Sequence, residues 1–430
     1  MKERNGQLRY LSIVIGAFLT VGVIVGLTNN LYSLYVIPIT TGLGISRGLY
    51  SMGITVRYIA SAFCNLFMGR LYQRFGYRRP TVLLVLLVAT SYVGYGTARN
   101  AVPLFLGALI YGVGEYFIST AALSRMLGNW FQSHLGVVTG IVMAASGVGG
   151  SALSLALSGI MGSADWRASL LFAAGLLAAV AVMIFFVMKD RPEELGLQPY
   201  HDPERRGAAH KPKKVAAPWV GVPMQVLLKK PYFYLTMIGM MLATIASNGV
   251  YSAVVPHLQD RGLSAAYAAK MLSLMLVLLA VDKIALGMLA DRFGAHFSTL
   301  LCVLFTFFGI LVLTLVKNEW QAVIAVVLLS VSVCLNGFIQ PLLAAEIFGR
   351  SAYNTTLGIM MAMLSVGGLL SSPLVNFSFD ATGSYTRILI VLAVIAAVDA
   401  LFLLPAFHAE AKYRRELEAA GQFGDAGSET

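Results

Sequence analysis

The sequence predicts an all-α integral membrane protein with twelve transmembrane helices, arranged as two six-helix bundles related by a parallel repeat. Three observations carry this. Hydrophobic residues make up 58% of the 430 positions and charged ones only 12%, where a soluble domain carries about 25% charge. Mean hydropathy is +0.76, and the chain divides into twelve apolar runs near the ~20 residues that cross a bilayer. It also repeats itself at an offset of 218 residues.

The first run, 10–38, is too long for a signal-peptide core and no small-residue cleavage site follows it, so it reads as a retained helix. Runs at 47–68, 80–97, 102–127, 135–160 and 167–188 complete the first six. Residues 189–230 form the only long polar interruption, rich in Pro and in charges such as Arg205, Arg206, Lys211, Lys213 and Lys214. Six more runs follow at 232–257, 264–290, 296–316, 321–345, 354–377 and 385–407. The expected domains are an N-terminal bundle over 1–188, a cytoplasmic linker over 189–230 and a C-terminal bundle over 231–430. The short polar tail after Lys412 begins as a helix and frays.

Twelve spans put both termini on one side. Segments on that side hold 22 of the 31 Lys and Arg residues, including Arg70, Arg74, Arg78 and Arg79, and the other side holds seven, among them Arg47. The excess of Lys and Arg makes that side cytoplasmic, and a cell's inner (cytoplasmic) membrane is the expected location. The net charge of +11 follows from this topology and from contact with anionic lipid. No basic-aromatic nucleic-acid module is present, so a nucleic-acid partner is not expected. Cys64, Cys302 and Cys334 all lie in apolar runs without CxxC or Cys/His spacing and read as small buried hydrophobes, with no metal site.

The repeat needs no gap. Gly140 to Gly150 falls on Gly358 to Gly368 with seven identities in eleven positions. The same offset places Gly69, Leu71, Arg74, Phe75 and Gly76 on Gly287, Leu289, Arg292, Phe293 and Gly294, and Asn30, Pro38, Gly44 and Ser46 on Asn248, Pro256, Gly262 and Ser264. An even number of helices per copy keeps the two in the same orientation, which is the parallel repeat about an axis normal to the membrane.

Two bundles of six, with the turn Gly69-Arg-Leu-Tyr-Gln-Arg-Phe-Gly-Tyr-Arg-Arg79 after helix 2 and its echo Gly287-Met-Leu-Ala-Asp-Arg-Phe-Gly294 after helix 8, resemble the major facilitator superfamily over essentially the whole chain. The resemblance implies transport by alternating access, with Gly69, Arg70, Arg74, Gly76, Gly287, Asp291 and Arg292 in the conformational machinery. That family usually carries Asp where Gln73 stands; the second copy retains Asp291. Within the superfamily, Asp190-Arg-Pro-Glu-Glu-Leu-Gly-Leu-Gln-Pro-Tyr200 is similar to the linker opening of bacterial oxalate/formate antiporters and monocarboxylate porters. Trp130-Phe131 followed by Gly136 and Gly140 is similar to their turn into helix 5. Glycines such as Gly140 and Gly358 permit close helix contact and mark faces on which one bundle could rock against the other.

A charge at the bilayer centre costs about 2.5 to 3.5 kcal/mol even on lenient scales, so each one needs a partner or a function. Arg57 in helix 2, Glu115 in helix 4, Asp282 and Lys283 in helix 8 and Asp399 in helix 12 are the deep charges. Each is either a structural ion-pair member or a functional group. Lys283 stands four residues before Gly287, and in the resembling carboxylate transporters that position typically carries the substrate-binding Arg. Lys keeps the charge and loses the bidentate fork. Asp282, about 100° around the helix, either neutralises Lys283 or takes up a proton. Arg57 is either a second anion ligand or the partner of Glu115. The resembling oxalate exchangers add a Lys in helix 11, whereas the run 354–377 has no charge. Asp399 has no assigned role.

Around these charges stand side chains that can hydrogen-bond a carboxylate: Asn29, Asn30, Tyr32, Tyr35, Tyr111, Tyr116, Asn248, Tyr251, Asn336 and Gln340. Any single Tyr also serves as packing, while Asn30 and Asn248 gain weight because the repeat duplicates them. No GxxxxGK[ST], metal-ligand cluster or nucleophile elbow is present. An enzyme is not expected, nor any cofactor. The expectation is a monomeric secondary transporter of a small organic anion, a monocarboxylate, driven by proton symport through Asp282 or Glu115 or by anion exchange. Its rivals are efflux of cationic drugs, which the cations Arg57 and Lys283 oppose, and a carboxylate sensor, for which the chain shows no output domain.

Overall fold

Backbone N–H and C=O groups inside a bilayer find no water, so apolar runs satisfy them as helices. A computed structural model describes residues 2–115, 120–200 and 221–419, apart from the side chains of 2–7, 65–70, 73, 115, 120–122, 124, 125, 350 and 418. Among the described residues the chain is helical, with one isolated bridge between Phe131 and Tyr200 and no strand.

The first expected run is divided: α1 (Lys2–Asn30) and α2 (Tyr32–Leu43) meet at Leu31, whose φ of −118° and ψ of 6° leave the helical region. Then come α3 (Arg47–Phe75), α4 (Arg78–Gly96), α5 (Ala101–Glu115), α6 (Thr120–Trp130), α7 (Leu135–Ser163) and α8 (Trp166–Val187). The short helix α9 (Met224–Leu227) precedes α10 (Pro231–Asp260), α11 (Ala265–Phe293), α12 (Ala295–Thr314), α13 (Glu319–Ser330), α14 (Ile339–Thr382) and α15 (Thr386–Ala419). Helix α14 is kinked at Gly349 (φ 70°). Among the described residues nine helices are long and apolar enough to cross a membrane, and α13 with the first leg of α14 makes a tenth as a pair bent by 50°. The remaining expected runs fall on α3 and on α5 with α6.

The repeat lies largely where helices stop and start. Gly44 and Gly262 both have positive φ (63° and 88°), and Ser46 and Ser264 each accept a backbone N–H three residues on, from Leu49 and Tyr267, at 3.1 Å. A hydroxyl at this position satisfies one of the orphan donors of a helix N-terminus.

Contacts divide the chain into two units, Met1–Ala209 with Val254–Ala280, and His210–Ala253 with Val281–Thr430. In the first, α1 packs on α7, α4 on α8, and α3 and α4 on α5. The α1–α7 approach is backbone to backbone: a Cβ on Gly149 would run into the Gly22 backbone, and one on Gly26 would sit 2.8 Å from Gly150 N. Close packing of this kind takes the place of the hydrophobic drive that lipid does not supply. In the second unit α12 packs on α13 and α15.

Candidate functional site

A broken helix marks the second unit. After α13 the chain tightens into a 3₁₀ turn over Val331–Leu335 and leaves helical geometry at Asn336 (φ −94°, ψ 79°). It passes Gly337 at φ 99°, a conformation that glycine adopts without Cβ strain, and resumes as α14. Such irregular backbone at membrane depth is tolerated where protein or a polar cavity satisfies it. Here side chains do so. Asn336 Nδ2 donates to Ser247 Oγ at 3.0 Å and to Asn248 Oδ1 at 2.8 Å, and Ser247 Oγ donates to the Ser332 carbonyl at 2.8 Å. Asn336 Oδ1 and both polar atoms of the fully buried Gln340 have no hydrogen-bond partner.

Asp282 and Lys283, both half-buried, lie on α11 in the same unit. Lys283 is within electrostatic reach of Cys334, two residues before Asn336. Asp282 lies beside Ser330, and its Oδ2 is buried without a hydrogen-bond partner. One turn beyond Lys283, a Cβ on Gly287 would meet the Phe338 ring at 3.7 Å, so α11 runs along the break. Tyr251 is buried on α10. The structure thus gathers Lys283, Asp282, Asn248, Asn336 and Gln340 within one unit.

The first unit holds a cavity lined by tyrosines and aliphatic side chains beside Arg57. Arg57 Nη2 donates to Asn29 Oδ1 at 2.7 Å and Nη1 to the Thr28 carbonyl at 3.2 Å, while the guanidinium stands 4.7 Å from the Tyr111 ring centre. The cavity beside it is lined by six tyrosines, Tyr32, Tyr35, Tyr50, Tyr92, Tyr95 and Tyr111. Tyr32 and Tyr50 stack at 5.1 Å, and the Tyr35 hydroxyl shares a hydrogen bond of 2.8 Å with Ser169. About 70 Å³ is open to the centres of water-sized molecules, room for roughly five waters at 10–15 Å³ each. Tyr50, Tyr92 and Tyr95 were not among the sequence candidates, because one tyrosine on an apolar helix looks like any other until the fold assembles them.

Asn30 is placed elsewhere, in the α1–α7 contact, with its amide donating to the Ser146 carbonyl at 3.0 Å. Glu115 and Gly69 and Arg70 lie on described helices, but their side-chain positions fall outside the described residues, as Tyr116 does altogether. Open space surrounds Gly140 and Gly358. Asp399 is fully buried on α15 with neither carboxyl oxygen hydrogen-bonded, close to Gly239 of α10.

The repeated turns are closed by carboxylates whose pairing with those turns the sequence motifs did not identify. Asp190 Oδ1 accepts the Tyr77 and Arg78 N–H groups, both at 2.8 Å, at the start of α4. Glu346 does the same at the start of α12 through Ala295 N–H and also holds His296 Nδ1. Gly76 (φ 72°) and Gly294 (φ 91°) lie so near these carboxylates that a Cβ would collide with them. An anion at an uncapped helix N-terminus is favoured by the free N–H groups and the helix dipole. Burial pushes the Tyr77 hydroxyl well above the usual tyrosine range, so this turn keeps a neutral phenol beside Asp190. Arg74 and Arg292 are exposed and lie against Phe75 and Phe293, and Asp291 is exposed. The linker opening is tied down as well: Lys189 and Asp190 carbonyls accept Trp130 Nε1 at 2.8 Å and Asn129 Nδ2 at 3.1 Å, and Tyr10 donates to the Gln198 carbonyl at 2.5 Å. At the far end of α10, Arg47 and Asp260 form a two-point ion pair at 2.5 and 2.9 Å.

Residues 17–345 match the family model described as Major Facilitator Superfamily. The chain is 26% identical over 330 residues to monocarboxylate transporter 12 of Rattus norvegicus, a match spanning 70% of this chain and 65% of that relative's length. To monocarboxylate transporter 13 of the same organism it is 24% identical, over 83% of this chain and 79% of the relative. Among solved structures, a bacterial homolog of the human lysosomal transporter Spinster, inward-facing and occupied, aligns over 93% of this chain and 97% of its own with a TM-score of 0.66 at 14% identity. The nucleoside transporter NupG aligns over 93% of this chain and 99% of its own with a TM-score of 0.69 at 12% identity. At such identities the structural likeness concerns the fold.

Proposed function

The chain belongs to the Major Facilitator Superfamily, and from that premise we propose that it is a secondary transporter of a small monocarboxylate, working by alternating access with proton symport or anion exchange. The observation that carries the reading is the half-buried Lys283 on α11, beside a broken helix where Asn336 Oδ1 and the Gln340 amide have no hydrogen-bond partner. A cation in that setting suits an anionic substrate, and the acid next to it, Asp282, suits a group that neutralises the cation in the empty site or carries a proton. Similarity to monocarboxylate transporters supports the same substrate class.

In this proposal Lys283 takes the carboxylate, with Asn248, Asn336, Gln340 and Tyr251 as hydrogen-bonding or packing neighbours. Arg57 and the tyrosine cavity provide a second anion-binding group, of a size that suits a short acid. Asp282 or Glu115 couples the proton. The turns at Gly69–Gly76 and Gly287–Gly294, with Gly140 and Gly358, serve the conformational cycle. The two halves are 1–188 and 231–430, joined by a cytoplasmic linker. Both termini are cytoplasmic, the membrane is the cell's inner one, and the working unit is a monomer. The test is a thermal-shift and counterflow screen of purified protein against formate, acetate, lactate, pyruvate, oxalate and larger anions. Stabilisation and exchange by short monocarboxylates are expected, and response only to cationic drugs would overturn the reading.

A further inference from the structure

The break between α13 and α14 has a polarity as well as a shape. A carbonyl only accepts, so the single Ser247 hydroxyl proton is committed to Ser332 O, 2.8 Å away. Ser247 Oγ can then only accept, and it accepts from Asn336 Nδ2 at 3.0 Å; the second amide proton goes to Asn248 Oδ1 at 2.8 Å. Turning the Asn336 amide over would set its oxygen against a hydroxyl with no proton left to give. The chain Ser332, Ser247, Asn336 therefore fixes Asn336 Oδ1 as an acceptor, and that atom is buried with no donor. Four residues on, the fully buried Gln340 amide has both its nitrogen and its oxygen unpartnered.

We propose that Asn336, oriented by Ser247, is a specificity-determining residue that reads a hydroxyl on the substrate carbon next to the carboxylate, with Gln340 completing the recognition. The inference rests on the carboxylate reading above, with Lys283 holding the acid group. A hydroxyl can donate to Asn336 Oδ1 and accept from the Gln340 amide. A 2-oxo group can only accept, so what it gains from the Gln340 amide is offset by the like acceptor it meets at Asn336, and an unsubstituted carbon leaves both amides unmet. A substrate ammonium could also donate, but it would stand near the Lys283 charge.

The experiment compares 2-hydroxypropanoate, 2-oxopropanoate and propanoate as competitors of counterflow and as ligands in thermal-shift titrations of the purified full chain. The hydroxy acid should bind about tenfold tighter than propanoate, the size of one to two neutral hydrogen bonds, and the oxo acid should gain nothing over propanoate. Asn336→Leu should bring the hydroxy-to-unsubstituted ratio near one. Ser247→Ala combined with Asn248→Ala, which keeps Asn336 and removes both acceptors of its N–H₂, frees the amide to turn and present its N–H₂, so it should raise the oxo acid relative to the hydroxy acid. Equal binding of the three acids, or an unchanged ranking in the Ser247→Ala/Asn248→Ala double variant, overturns the inference while leaving the carboxylate reading intact. Binding of none of them overturns both.

Discussion

Lys283 is where the substrate claim is most exposed to test. A charge-assisted hydrogen bond contributes about 1.5 to 3 kcal/mol, so Lys283→Gln should weaken carboxylate binding roughly ten- to a hundredfold, and Lys283→Arg should preserve much of it. Ligand titration of melting temperature decides this, and unchanged affinity in the Gln variant would make Lys283 a structural cation. Arg57 poses the complementary question. Its contacts to Asn29, the Thr28 carbonyl and the Tyr111 face orient the guanidinium at the tyrosine-lined cavity. If it also pairs with Glu115, Arg57→Leu and Glu115→Leu should each destabilise by about 3 to 5 kcal/mol and the double variant should recover much of the loss. If it serves the substrate, Arg57→Leu should abolish binding with little effect on stability and Glu115→Leu should not rescue it.

At the level of elements, the turns carry most of the new information. The repeat, the glycines and Ser46 and Ser264 were legible in the sequence because caps and positive-φ positions demand particular residues locally. The closing carboxylates were not: Asp190 reaches a turn 113 residues earlier and Glu346 one 51 residues earlier, and no periodicity signals such a pairing. The break at Asn336 is not legible in the sequence for a related reason, since an apolar run reads as continuous whether or not the backbone bends within it. Loss of a side-chain helix cap costs about 0.5 to 2 kcal/mol, so Asp190→Ala should lower thermal stability by that order, whereas Asp190→Asn, which keeps an acceptor, should lose less. Equal stability of Asp190→Ala and the parent in a melting experiment would contradict the capping role. Arg47 and Asp260, 213 residues apart in sequence, make a second test. Arg47→Ala and Asp260→Ala should change transport rate in the same direction, and the double variant should resemble either single one. Additive effects would show that the pair does not act as a unit.

For the molecule as a whole, composition and the 218-residue repeat were enough to predict the fold, because a bilayer permits so few ways of satisfying a backbone. The site was less legible. Sequence picked out Lys283, Asp282, Arg57, Asn248 and Asn336, whose charge or amide is costly in lipid, but it could not distinguish Asn30, bound in a helix contact, from its repeat mate Asn248 at the break. Coupling belongs to this scale, since it links a titrating side chain to the full transport cycle. If Asp282 carries the proton, Asp282→Asn should still exchange substrate across a membrane and should lose accumulation driven by a pH gradient, as measured in vesicles with and without an imposed gradient. Retained gradient-driven accumulation in that variant would transfer the role to Glu115.

The central claim, a monocarboxylate carried on Lys283, is tested most directly by counterflow of a labelled short monocarboxylate into proteoliposomes preloaded with the unlabelled acid, with parent and Lys283→Gln protein side by side. The account predicts transient accumulation of label by the parent and its loss in the Gln variant at equal protein incorporation. No accumulation by the parent, or the same accumulation by both proteins, would contradict it.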